Sequence, residues 1–185
     1  PRICRPIFDS EARVTRDRRR KTLMNGHLGA LRDGEVSSGA VKLFGIAAAG
    51  LVTGALLRKR PLDKLLAGVV IAGTAHFVNL VDVRPGRAAG AVLALGVPGV
   101  LRGGDAGQVS AGALGAVAAV VGDDLAERAM IGDAGAHALG AALGCAVVLG
   151  TGRAGLAAHA AALVTAAAFG RRVSAAVGAA GHPGE

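Results

Sequence analysis

Six apolar runs, separated by short charged turns, constrain this chain of 185 residues more than any other feature. They fall at 39–57, 65–81, 88–101, 108–121, 134–150 and 155–170, and the first contains a single charged residue, Lys42. Runs of this length approach the ~20 residues that a helix needs to cross a bilayer. None alternates apolar and polar residues with a period of two, so they predict helices rather than strands. In lipid, a helix satisfies its own backbone hydrogen bonds, which an isolated strand cannot do.

The composition agrees with a membrane solvent. Hydrophobic residues make up 52% of the chain and charged residues 18%, and the mean hydropathy is +0.49, too apolar for an ordinary soluble domain. Four Phe and no Trp or Tyr leave a soluble core to be filled by side chains of little area each. The 30 glycines would weaken helices in water by roughly 1 kcal/mol each relative to Ala. In lipid, Gly-rich faces such as Gly140 with Gly144 let helices approach closely instead.

The net charge of +8 does not imply nucleic acid. The basic residues gather in the first segment, around Arg16-Asp17-Arg18-Arg19-Arg20-Lys21, and in short turns. A nucleic-acid surface combines a basic stripe with stacking aromatics, and the chain has neither. Anionic headgroups or a phosphorylated substrate account for the charge better. Cys4 and Cys145 are widely separated, lack metal-ligand spacing and read as free thiols.

The expected fold is therefore all-α, a polytopic membrane helix bundle with about six transmembrane helices. Residues 1–38 form a basic cytoplasmic segment, 39–170 the transmembrane helical domain and 171–185 a short cytoplasmic tail. Six crossings put the first segment, the 82–87 loop, the 122–134 loop and the tail on one side, which the basic first segment makes cytoplasmic. The 58–64 turn conflicts with that orientation, because Arg58, Lys59, Arg60 and Lys64 are basic on the opposite face.

Two polar motifs interrupt the apolar background at run ends. Asn79-Leu80-Val81-Asp82 closes the second run and Gly132-Asp133-Ala134-Gly135 opens the fifth. Ionisable groups at such places in a membrane chain point to function. Plainer roles stay open: Asp133 as an N-cap, and Asn79 and Asp82 as interfacial polar residues ending a helix. Converging oxygens from these side chains would suit a hard cation such as Mg²⁺, which takes carboxylates together with phosphate oxygens.

The order of the basic segment, Gly26-His27, Ser37-Ser38-Gly39-Ala40-Val41-Lys42, Asn79-Leu80-Val81-Asp82 and Met130-Ile131-Gly132-Asp133-Ala134-Gly135-Ala136-His137 resembles the polyprenyl-phosphate N-acetylhexosamine-1-phosphate transferases. The superfamily includes phospho-N-acetylmuramoyl-pentapeptide-transferase and N-acetylglucosamine-1-phosphate transferases, and the resemblance runs from about Asp9 to Val173. It implies a Mg²⁺-dependent enzyme of the bacterial inner membrane, with its site facing the cytoplasm. Such an enzyme moves a sugar-1-phosphate from a UDP-N-acetylhexosamine to a polyprenyl phosphate in cell-envelope glycan synthesis, including that of peptidoglycan. By the same carry-over Asp133, Asp82 and Asp9 are catalytic, Asp133 and Asp82 hold the metal, and Asn79, Gly26, His27 and Lys42 bind substrate. A homodimer is the assembly kept open, and the chain is expected to be truncated at its N-terminus.

The chain departs from the family pattern in four places. Asp9 is followed by Ser10 where the family has paired aspartates, and Val83-Arg84-Pro85-Gly86 replaces the acidic second half of the Asn-x-x-Asp motif. Ala136 stands where the family has Ser, and no His-rich loop is present. Two alternatives therefore stay beside the enzyme: an inactive membrane scaffold derived from the family, and a small transporter with Asp82, Asp133 and His137 along a polar path.

Overall fold

The computed structural model describes residues 38–179, which form seven helices with no strand among them. In chain order these are α1 (Ser38–Leu57), α2 (Pro61–Val81), α3 (Arg87–Arg102), α4 (Gly104–Leu125), α5 (Gly132–Gly150), α6 (Arg153–Ala168) and α7 (Gly170–Ala179). The chain divides into two compact units, Pro1–Gly45 and Ile46–Glu185, and the bundle described below is the second.

The turns form where the sequence supplies helix breakers. Pro61 opens α2 at a position where its missing N–H costs nothing. Gly86 and Gly103, at φ 78° and 71°, take left-handed conformations that let α3 begin and end sharply. Pro98 lies inside α3 and deprives the Ala94 carbonyl of its helical donor.

Among the described residues, three helices are long and apolar enough to cross a membrane: α2 with 21 residues, α4 with 22 and α5 with 19. At 1.5 Å per residue they span about 28–33 Å, which matches a hydrocarbon core of ~30 Å. The six expected runs all appear as helices, but α3 and α6 have only 16 residues each, or about 24 Å. Arg87 and Arg102 terminate α3 and Arg153 starts α6, so charge trims those runs at their ends. The expected C-terminal tail is partly helical, since α7 continues to Ala179.

Helix α2 is the centre of the bundle, and glycines bring its neighbours onto it. A Cβ built on Gly140 would lie 2.6 Å from the Ala75 Cα, and one on Gly144 would lie 2.7 Å from the Ile71 Cα. The α2 and α5 backbones are thus in direct contact along a ladder that pairs 75 with 140 and 71 with 144. On another side of α2, Gly54 of α1 meets the Gly68 nitrogen at 2.6 Å by the same measure. The buried side chains are correspondingly small: Ala67, Val70, Val78, Ala88, Val92, Ala136 and Val148 are all fully enclosed. Leu143 and Leu156 are the largest side chains buried with them, and many other large apolar side chains point outward, with Leu56 and Leu101 more than four-fifths exposed, as suits a surface solvated by lipid.

At one end of the bundle, the turn after α1 is fastened to the C-terminus of α5. The Arg58 guanidinium donates to the Val148 carbonyl and, at 2.6 Å, to the Thr151 carbonyl. These are orphan acceptors at a helix C-terminus, where a cation also meets the negative end of the helix dipole. Arg153 pairs with Asp63 across the same end at 2.7 Å. Two of the arginines at this end are therefore tied into packing, which gives them a role independent of membrane orientation.

Candidate functional site

The opposite end of the bundle carries both polar motifs. Continuing the α2–α5 ladder by one turn sets 78–79 beside 136–137, and a second turn sets 82 beside 133. The packing agrees, because Val78 and Ala136 belong to one buried cluster. Asp82 follows the last residue of α2, and Asp133 lies in the first turn of α5. The two carboxylates sense each other electrostatically, and the Gly132 backbone N–H reaches the Asp82 carboxylate.

Asp82 is the more constrained member of the pair. It is half-buried, and its Oδ1 is buried without a hydrogen-bond partner. Burial pushes its carboxyl above the usual carboxylate range, the Asp124 and Asp133 charges push the same way, and the Gly132 N–H partly offsets them. Asp133 is exposed, one position inside α5. The residue at the cap position is Ile131, so Asp133 is not the N-cap, although the positive end of the α5 dipole favours its charge.

Gly132 takes φ 69°, a conformation that side chains rarely adopt, and this turns the chain from the loop into α5. Asn79 is half-buried in the last turn of α2, and its carbonyl accepts from the Asp82 N–H at 3.3 Å. His137 lies one turn beyond Asp133 and shares a hydrogen bond of 2.6 Å between its Nδ1 and the Asp133 carbonyl oxygen.

Two further residues belong to this end and were not singled out by the motifs. Asp124, at the end of α4, is 1% exposed. Its Oδ2 accepts from the Gly86 N–H at 2.7 Å and its Oδ1 from the Ile131 N–H at 3.3 Å, so it joins the two motif-bearing loops. A signal for it was present: an acid in the last turn of a helix opposes the dipole and needs compensation. His76 of α2 is half-buried and interacts electrostatically with His137 of α5, one to two turns inside the carboxylates. Its spacing of three residues from Asn79 puts it on the same helix face.

Lys42 is exposed on the part of α1 that belongs to the N-terminal unit. Asp9, Gly26 and His27 lie outside the described residues. Among the described residues no group of three or more His, Cys, Asp or Glu side chains is gathered to hold a metal ion. Asp82, with its unpartnered oxygen, and Asp133 remain as two carboxylates, a donor set that suits Mg²⁺ when substrate phosphates and water complete the shell. Comparison with family models, with curated proteins and with solved structures found no match to this chain.

Proposed function

We propose that this chain is a membrane transferase that moves a sugar-1-phosphate from a UDP-N-acetylhexosamine to a polyprenyl phosphate, at a site built on Asp82 and Asp133. The observation that carries the reading is the α2–α5 register, which brings Asn79, Asp82 and Asp133 together at one end of the bundle. The order of motifs along the chain supports the same assignment.

In this reading all six apolar helices cross a bacterial inner membrane, with local thinning of the bilayer accommodating the shorter ones. The carboxylate end faces the cytoplasm. A phosphate oxygen of the polyprenyl phosphate attacks the β-phosphorus of the donor, the bond from that phosphorus to the bridging oxygen breaks, and UMP leaves with the bridging oxygen. Mg²⁺, when bound, neutralises charge that develops on the phosphate oxygens. Asp82 at the end of α2 and Asp133 at the start of α5 would hold that Mg²⁺, Asn79 contacts the nucleotide, and Arg84 and Arg87 flank the entrance as diphosphate partners.

The purified chain in nanodiscs should release UMP from a labelled UDP-N-acetylhexosamine and form a lipid-linked sugar phosphate when undecaprenyl phosphate and Mg²⁺ are supplied. Asp133→Asn should abolish the product without lowering expression, and chelation of Mg²⁺ should do the same. Absence of product with several donor sugars would refute the proposal.

A further inference from the structure

Asp124 occupies a position that a carboxylate enters only with compensation. It lies in the last turn of α4, where the negative end of the helix dipole opposes it, and it is 1% exposed. Its neighbour Asp123 is exposed and receives two hydrogen bonds from Arg128, at 2.9 and 2.6 Å. Asp124 instead turns inward and accepts from backbone N–H groups of two loops, Gly86 before α3 and Ile131 before α5. The bond from Gly86, at 2.7 Å, has the length of a strong hydrogen bond to a carboxylate, and the longer one from Ile131 is weaker.

Those loops carry the candidate site. Gly86 follows Asp82 by four residues and Ile131 precedes Asp133 by two. The acceptance at Gly86 depends on its backbone: φ is 78°, and an added Cβ would meet the Leu125 Cδ2 at 2.8 Å. The left-handed backbone that presents this N–H to the carboxylate is therefore one that glycine adopts without strain.

We propose that Asp124 is the positioning residue of the Asp82–Asp133 site, a buried carboxylate clamp that holds the two loops at one separation. This rests on the reading of Asp82 and Asp133 as a site, and it adds a residue that touches neither substrate nor metal. Without the clamp, Gly86 and Ile131 lose their acceptor together, and the two helix ends are joined by the Gly132 N–H on the Asp82 carboxylate and by the packing further inside.

The test uses the full chain in nanodiscs, with Cys4→Ser and Cys145→Ala and spin labels on Val83→Cys and Ala129→Cys, one on each loop; UMP release is measured on the chain without labels or cysteine substitutions. The parent should give one narrow distance distribution. Asp124→Asn should at least double its width, whereas Asp123→Asn, an equal charge change next door, should leave it as it is. A control pair at the far end, Lys59→Cys with Gly152→Cys, should stay narrow in every background.

An unchanged loop distance in Asp124→Asn overturns the clamp. If that variant does not fold, amide exchange in the parent decides the matter: Gly86 and Ile131 should exchange at least tenfold more slowly than Met130, and equal rates overturn the proposal. In a parent that releases UMP, Asp124→Asn should raise the Mg²⁺ concentration for half-maximal rate at least tenfold, and an unaltered requirement overturns the link to the site. A parent that releases no UMP refutes the transferase reading alone, and the loop distance still tests the clamp.

Discussion

Gly140→Ala is the substitution whose outcome the packing fixes most tightly. The added Cβ would stand 2.6 Å from both the Ala75 Cα and the Thr74 carbonyl oxygen, and both are backbone atoms of α2 that cannot swing aside. Ordinary contact at such a pair begins near 3.4 Å, so α2 and α5 must separate by about 1 Å. Overpacking of this kind costs about 1–3 kcal/mol. It outweighs the gain in helix propensity of at most about 1 kcal/mol that Ala has over Gly in water, a gain that lipid reduces. The same displacement reaches Asp82 and Asp133, two turns along the ladder, and a misplacement of 1 Å can lower a rate by about a hundredfold. The comparison variant is Gly112→Ala in α4, whose Cβ meets nothing within 4 Å. Unfolding in mixed micelles, followed by circular dichroism, should show Gly140→Ala destabilised and Gly112→Ala unchanged or slightly stabilised. Equal stabilities for the two variants would refute backbone contact between α2 and α5.

Three further outcomes follow from single side chains. Arg58→Ala should cost about 1.5–3 kcal/mol in the same unfolding assay, because the Val148 and Thr151 carbonyls lose a charged donor. Ser110→Ala should be neutral or stabilising, because the Ser110 Oγ is fully buried with no partner to lose. For Asp82 the sign of the pH dependence is fixed by its raised pKa. The folded state holds that proton more tightly than the unfolded state, so the contribution of Asp82 to stability is present below its unfolded pKa and is lost as pH rises through the folded value. Asp82→Asn should therefore stabilise the chain at pH 7, lose that advantage near pH 3 in parallel melts, and abolish UMP release where the parent shows it.

Much of the fold was legible because membrane helices announce themselves by run length, and each of the six apolar runs became a helix. The Gly140–Gly144 pair was legible for the same reason, since small residues four apart on an apolar helix have little use except close contact. The meeting of the 82–87 and 122–134 loops at one end followed from counting crossings, and the Asp124 hydrogen bonds join those two loops directly. The shortness of α3 and α6 was harder to read, because it depends on whether a flanking arginine starts a helix or sits in the turn before it. In the polar string Gly122-Asp123-Asp124 an acid at the end of a helix signals a need for compensation, but that signal applies to both aspartates and does not tell the exposed carboxylate from the buried one. That distinction is made by Gly86, 38 residues away, through a donor that every residue except proline possesses.

The residues that look like filler thus decide whether the few polar ones can act. Helices α2 and α5 run antiparallel, so a slip of one turn between them would carry Asp82 about 5.4 Å away from Asp133. Alanine, valine and leucine faces would permit such a slip, since they resemble one another from turn to turn. Gly140 and Gly144 do not, because only at those two positions does α5 lack the Cβ that would collide with Ile71 and Ala75. The ladder fixes the depth of one helix against the other, and the clamp at Asp124 fixes the loops beyond it. A chain with few functional side chains can therefore hold a carboxylate such as Asp82 half-buried with an unpartnered oxygen, at a cost in stability that the glycine contacts offset. Restoring a Cβ at either glycine should release that arrangement before it unfolds the bundle.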